Sequence, residues 1–465
     1  MPLFLRQSAA VAALSVFASF ALSPAQAQTL EQTLVATYES HPALEAARAA
    51  VRASDEGIAQ ARTGQRPQVN ATFDAGAQTG DGFVDFDGSN SQTLALSASQ
   101  SLYNGGDTVA AIEAARAGVE SSRASLASTE QTVLLEAITA YSDVLRDTQF
   151  VALSENNVRV IERELQAARD RFEVGEVTRT DVAQAEARLA AANSNLIASR
   201  GNLSRSEDAY QAAVGSRPID LAPQPILPAL PGSLDDAQEL ARQNHPQIRA
   251  ATESVIAAEF NLERAQSGFG PTVGVTGSIG VTRSEGPGRS NIDINNTERT
   301  SIGLNATLPL YRGGGTQSGA RQAQANIEQA QANLQDVGRV IRQNVSSSFT
   351  ALEVARSSID ASRQEITAAR IAFEGVQEEA TLGARTTLDV LDAEQSLLNA
   401  QSNLVSAERD EFVAAFTLLS AVGLLAVDHL GLDVEVYDPN ENFEAVQSGS
   451  SDSDVGILDR IRGRF

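Results

Sequence analysis

The chain has no cysteine and no tryptophan, one methionine, and only 5% aromatic residues among 465. Without cysteine there is no disulfide framework and no thiol to carry a lipid anchor. So few large side chains argue against an ordinary thick globular core at this length. Three histidines scattered through a chain without thiols form no metal-ligand cluster, so no metal is expected. Positive charge is also scarce. With 35 Lys+Arg against 59 Asp+Glu the net charge is −24, which argues against nucleic acid as a partner. Beyond the N-terminus no apolar run reaches the roughly 18 residues of a transmembrane helix. Asn104-Gly105-Gly106 and Gly313-Gly314-Gly315 lack the Lys-Ser/Thr of a phosphate loop. Nothing in the sequence supports an enzyme, and no cofactor is expected.

Alanine, serine, glutamine, glutamate, leucine and arginine dominate instead, the composition of long helices packed through small side chains. At the start, Arg6 precedes an apolar run from Ala9 to Leu22, and Ala25-Gln26-Ala27 fits a small-residue cleavage motif. The pattern predicts a secretory signal peptide over residues 1–27, with Gln28 opening the mature chain.

Two short helices follow, broken at His41-Pro42 and ended by Gln65-Arg66-Pro67. From Gln68 the residues alternate, with Val69, Ala71, Phe73, Ala75 and Ala77 on one face and Asn70, Thr72, Asp74 and Gln78 on the other. A Gly/Asp/Asn/Ser loop spans Gly80 to Ser91, and Leu94, Leu96, Ala98 and Leu102 carry the apolar face back. The spacing predicts a hairpin over about 68–103, each strand about ten residues long. Ile112, Val119, Leu126 and Val133, then Val144, Val151, Val158, Leu165 and Phe172, fall seven apart. Sustained sevens predict coiled-coil packing in a long helical hairpin over about 107–214.

The scheme then repeats. Residues 28–222 form the first repeat, a Pro-rich linker covers 223–232, and 233–430 form the second. His245-Pro246 echoes His41-Pro42, and Leu310-Tyr311-Arg312-Gly313-Gly314 echoes Leu102-Tyr103-Asn104-Gly105-Gly106. The second hairpin is expected over about 271–311, with a loop from Gly286 to Thr297, and the second helical pair over about 316–425. Ile327, Leu334 and Ile341, then Val345, Leu352, Ile359, Ile366 and Phe373, continue the sevens. A polar, acidic tail over 431–465 is expected to be partly disordered.

Four strands of alternating polarity cannot close a barrel, and an open edge cannot sit in lipid. One face is apolar and the other is Thr/Ser/Asn/Gly, the pattern of an outer-membrane barrel with a polar lumen. Closure therefore has to come from several chains: two would give eight strands and a filled interior, three would give twelve and a channel. A structural periplasmic coiled-coil protein is the alternative, and such a rod has no use for amphipathic strands.

Both long helical pairs reverse at one construction. Val174-Gly175-Glu176 leads to Thr180 and Asp181, and Leu382-Gly383-Ala384-Arg385 leads to Thr386, Thr387, Asp389 and Asp392. Glycine supplies each helix stop and threonine the next N-cap. Asp389 and Asp392 are three apart and share one helix face. They could serve as first-turn acids that favour the helix dipole.

The duplicated helix–hairpin–long-helix plan, the Leu-Tyr-x-Gly-Gly joints and the Gly-x-Arg-Thr-x-x-Asp-Val-Leu-Asp reversal resemble the TolC-type outer-membrane efflux family across nearly the whole mature chain. The resemblance implies a homotrimer with a twelve-stranded barrel in the outer membrane, above a long coiled-coil α-helical barrel in the periplasm. It implies as partners a periplasmic adaptor, an inner-membrane pump or ABC exporter, and outer-membrane lipid. Substrates would pass passively, in type I protein secretion or multidrug efflux. Asp389 and Asp392 would form the pore constriction. Arg385 would make gate contacts with Thr180 and Asp181. Val174, Gly175, Glu176, Leu382, Gly383 and Ala384 would dock the adaptor. A tyrosine of the family's type member is replaced here by Ala380, which implies a more weakly held closed state.

Overall fold

The computed structural model describes residues 27–81, 86–287 and 292–448. The expected signal peptide lies outside them except for Ala27. The first repeat runs α1 (Leu30–Ser40), α2 (Pro42–Arg62), β1 (Gln68–Asp81), β2 (Phe86–Asn104), α3 (Asp107–Glu173) and α4 (Arg179–Val214). The second runs α5 (Leu234–Asn244), α6 (Pro246–Ser267), β3 (Thr272–Pro287), β4 (Ile292–Thr307), α7 (Gly315–Thr381) and α8 (Thr387–Ala421). Two short helices follow, α9 (Val427–Leu430) and α10 (Pro439–Ser448). His41 and His245 end one helix and start the next: each Nδ1 accepts the backbone N–H two residues on. The following proline needs no partner at the first helical position.

At 67 residues each, α3 and α7 extend about 100 Å. The seven-residue series sets their buried side. Ile112, Val119, Val133, Val144, Val158 and Leu165 of α3 are buried, as are Ile327, Ile341, Val345, Leu352 and Ile359 of α7. Alanines complete the seams, where their small size lets backbones approach.

The sheet is antiparallel with order β1-β2-β3-β4, so both edge strands have a free side among the described residues. Phe73, Leu94 and Val281 stand in one cross-strand row, and Ala71, Leu96 and Ile279 in the next. Their apolar face is uncovered: Phe73 is 67% exposed, Leu94 60% and Leu304 70%. On the other face the Thr93 and Thr282 hydroxyls are hydrogen-bonded at 3.1 Å, and those of Ser278 and Ser301 at 2.8 Å. The strands of the first hairpin are longer than the ten residues expected, at 14 and 19, and those of the second have 16 each. Ladder pairing carries them through much of the Gly/Ser/Asn stretches expected as loops, where local propensity alone favours turns. At the foot of the sheet Gly105 has φ +70°, and a Cβ there would lie 2.5 Å from the Ser267 carbonyl. Only glycine fits that crossing between strand and helix.

The largest core sits where the repeats meet the linker. Leu34, Leu134, Ile138, Tyr141, Tyr210, Phe412, Phe416 and Leu419 pack together there. The Tyr141 hydroxyl donates to the Ala222 carbonyl at 2.6 Å, and Tyr210 is hydrogen-bonded to Thr33 at 2.9 Å. Burial pushes the Tyr141 hydroxyl up to about 12.

The stretch expected as a polar tail folds in part. Helix α10 returns to α2 and α3, where Asn442 donates to the buried Asp55 at 2.7 Å. Arg123 lies 5.2 Å from the Phe443 ring centroid and donates to the Pro439 carbonyl. Composition hides this contact, because two side chains in an acidic segment make it.

Candidate functional site: the paired helix reversals

Helix α3 stops at Glu173 and α7 at Thr381, in the same way. The Glu176 N–H bonds to the Arg171 carbonyl and the Gly175 N–H to the Phe172 carbonyl. Ala384 and Gly383 repeat these bonds to Glu379 and Ala380. This double closure needs a left-handed residue, and Gly175 and Gly383 supply it with φ +81° and +77°. Neither has any atom within 4 Å of where a Cβ would stand, so the constraint is backbone conformation and not crowding. Val174 is 72% exposed and Leu382 81%. Two apolar side chains therefore project from the ends of the long hairpins, beside exposed Glu176 and Ala384.

Of the two threonines that could start α8, Thr386 is the N-cap and Thr387 is buried. Asp389 closes a capping box: it accepts from the Thr386 N–H and hydroxyl, both at 2.9 Å. Thr178 and Asp181 build the same box at α4, with both bonds at 2.8 Å. In each pair the backbone N–H and then the threonine hydroxyl hold the aspartate below the usual carboxylate range.

Arg385 donates to Glu379 at 2.8 Å, and Thr180 is exposed. Within one chain Arg385, Thr180 and Asp181 therefore make no gate contact among the described residues. Arg385 and Asp181 instead line one cleft of about 550 Å³ between the two tips, with Glu176, Ala380 and Leu382. Asp392, which the resemblance assigns to the pore constriction with Asp389, accepts from Arg188 of α4 at 2.6 Å. That bond joins the two helical pairs just above the tips.

Sequence reasoning missed Arg188 and also Glu394. Glu394 is 8% exposed, and its Oε2 has no hydrogen-bond partner among the described residues. Repeat alignment held the signal for the latter. At the 208-residue offset Glu394 matches Glu186, which is paired with Arg169 at 2.7 Å, while Arg169 matches Gln377.

Residues 33–216 and 237–424 match the outer membrane efflux protein family, one segment in each repeat. The chain is 37% identical over 423 residues to the outer membrane efflux protein BepC of Brucella suis, covering 91% of each. It is 28% identical over 424 residues to the outer membrane protein TolC of Escherichia coli, covering 87% of this chain and 84% of that one. The crystal structure of the outer membrane protein VceC from Vibrio cholerae superposes with a TM-score of 0.71 at 21% identity, covering 85% of this chain and 96% of that one. With the family match in both repeats and the duplicated fold beneath it, the chain belongs to the outer membrane efflux protein family.

Proposed function

We propose that three copies of this chain form an export duct, a closed β-barrel in the outer membrane continued by a helical barrel through the periplasm. The observation that carries this reading is the open four-stranded sheet with an uncovered apolar face. Backbone groups on an open edge have no partner in hydrocarbon, so such a sheet enters lipid only as part of a closed barrel. Twelve strands leave an aqueous lumen, and the Thr/Ser face suits it.

The exposed tips, with Val174 and Leu382 foremost, dock a periplasmic adaptor that recruits an inner-membrane pump or ABC exporter. Substrate passes without chemistry, in drug efflux or in type I protein secretion. Asp389 and Asp392 face the narrow end, and Arg385 reaches Thr180 and Asp181 of the neighbouring hairpin when that end closes. Reconstitution in planar bilayers tests the duct. Defined single-channel steps from the purified assembly are expected, and their absence from a detergent-stable trimer would refute it.

A further inference from the structure

We propose that Glu394 is a proton-operated latch on the seam between the two helical hairpins, holding α8 against α3 when neutral and parting them when ionised. Each hairpin packs along its own length. Leu391 of α8 enters a small cluster with Val158, Ile161 and Leu165 of α3 and Ala185 of α4. Glu394 follows one turn later on the same face, buried, with one carboxylate oxygen unpartnered among the described residues. A carboxylate in such a place is costly unless it is protonated or paired.

The pairing that would make it tolerable is present in one repeat and absent from the other. Glu186 is exposed and salt-bridged to Arg169, seventeen residues earlier. Seventeen residues before Glu394 stands Gln377, which is neutral. The charged groups acting on Glu394 come from α3: Glu164, which opposes its ionisation, and Arg163, which favours it. On α4, Arg188 is engaged with Asp392. On α7, Arg370, Glu374 and Glu378 are exposed.

Burial first, and Glu164 second, push the Glu394 carboxyl from 4.5 to about 7. The packed seam thus holds the proton more tightly than a parted, hydrated seam would. Its advantage is complete below about pH 4.5, shrinks as pH rises towards 7, and is lost above that. Across this window the ratio of parted to packed seams changes by about tenfold per pH unit.

The latch gains its transport meaning from the duct reading, but the seam can be read independently. Because the chain has no cysteine, Ala185→Cys places a single thiol in the buried cluster, and Ser396→Cys gives an exposed reference. In the intact detergent-solubilised assembly, thiol labelling at position 185 relative to position 396 is expected to rise at least about tenfold between pH 5 and pH 7. Glu394→Gln should keep it low at both pH values. Gln377→Arg restores the missing partner and should also keep it low, with the carboxylate ionised and paired. A flat response in the parent chain overturns the latch, and so does a rise that survives Glu394→Gln. A pH-dependent seam in an assembly that shows no channel steps would leave the latch standing and refute the duct.

Discussion

The Asp389 carboxylate accepts twice from Thr386, which ties its charge state to the first turn of α8. Its depressed pKa means that this contribution is present above the ordinary value of 3.8 and is lost as pH falls through the lower, folded one. Thr386→Ala should cost about 1 kcal/mol of local stability, read as faster amide exchange in the first turn of α8. Unchanged exchange would show that tertiary packing, not the cap, holds that turn. The helix-start role of Asp389 was legible from Thr386 three residues before it. The Arg188–Asp392 bond was not, because its partners are 204 residues apart. That pair is about half exposed and is worth under about 1 kcal/mol, so it guides the seam and does not lock it. On the duct reading, Asp389→Ala with Asp392→Ala should lower cation selectivity in planar bilayers. Unaltered selectivity would place both carboxylates away from the conduction path.

At the scale of elements, the helix reversals and the strands differ in how local their causes are. Gly175 and Gly383 end their helices through bonds that reach back five residues at most, so sequence spacing locates them. Arginine at either position meets no neighbour but must take a left-handed backbone, costing about 1–2 kcal/mol. If the tips dock an adaptor as proposed, Gly175→Arg and Gly383→Arg should leave the assembly and its surface amount normal while abolishing export, through bulk and charge at the tip. Normal export in both would remove the tips as the docking site. Strand length, by contrast, was underestimated. Stretches such as Gly88-Ser89-Asn90-Ser91 have low strand propensity, and they extend only because a facing strand pairs with them.

For the whole molecule, the outward question is assembly and the inward one is how the C-terminal segment is held. The chain has no lysine, so amine-reactive cross-linkers have no side-chain target. Mass measurement in detergent is the direct test, and three chains are expected. A stable monomer with a closed barrel would sink the architecture. Ending the chain after Asp438 removes the Asn442 hydrogen bond to Asp55 and the packing of Phe443 against Ile58, Ile112 and Val119. A hydrogen bond to a charged group is worth about 1.5–3 kcal/mol, so a lower melting temperature is expected with the number of chains unchanged. Equal melting temperatures would show that α10 contributes nothing to holding α2 against α3.

Periodicity, punctuation and duplication were decided by the sequence alone. Sevens of Val, Ile and Leu marked the long helices, alternation marked the strands, and one offset tied the two tips together. These signals are legible because they arise from neighbours within one or two turns, or from a repeat that can be laid on itself. Tertiary structure alone decided what the individual charges do. It gave Asp392 to Arg188, Arg385 to Glu379 and Asp55 to Asn442, and it left Glu394 buried with one carboxylate oxygen unpartnered among the described residues. The reason is physical: a carboxylate's behaviour depends on burial and on groups within a few ångströms, and packing brings those groups from distant parts of the chain.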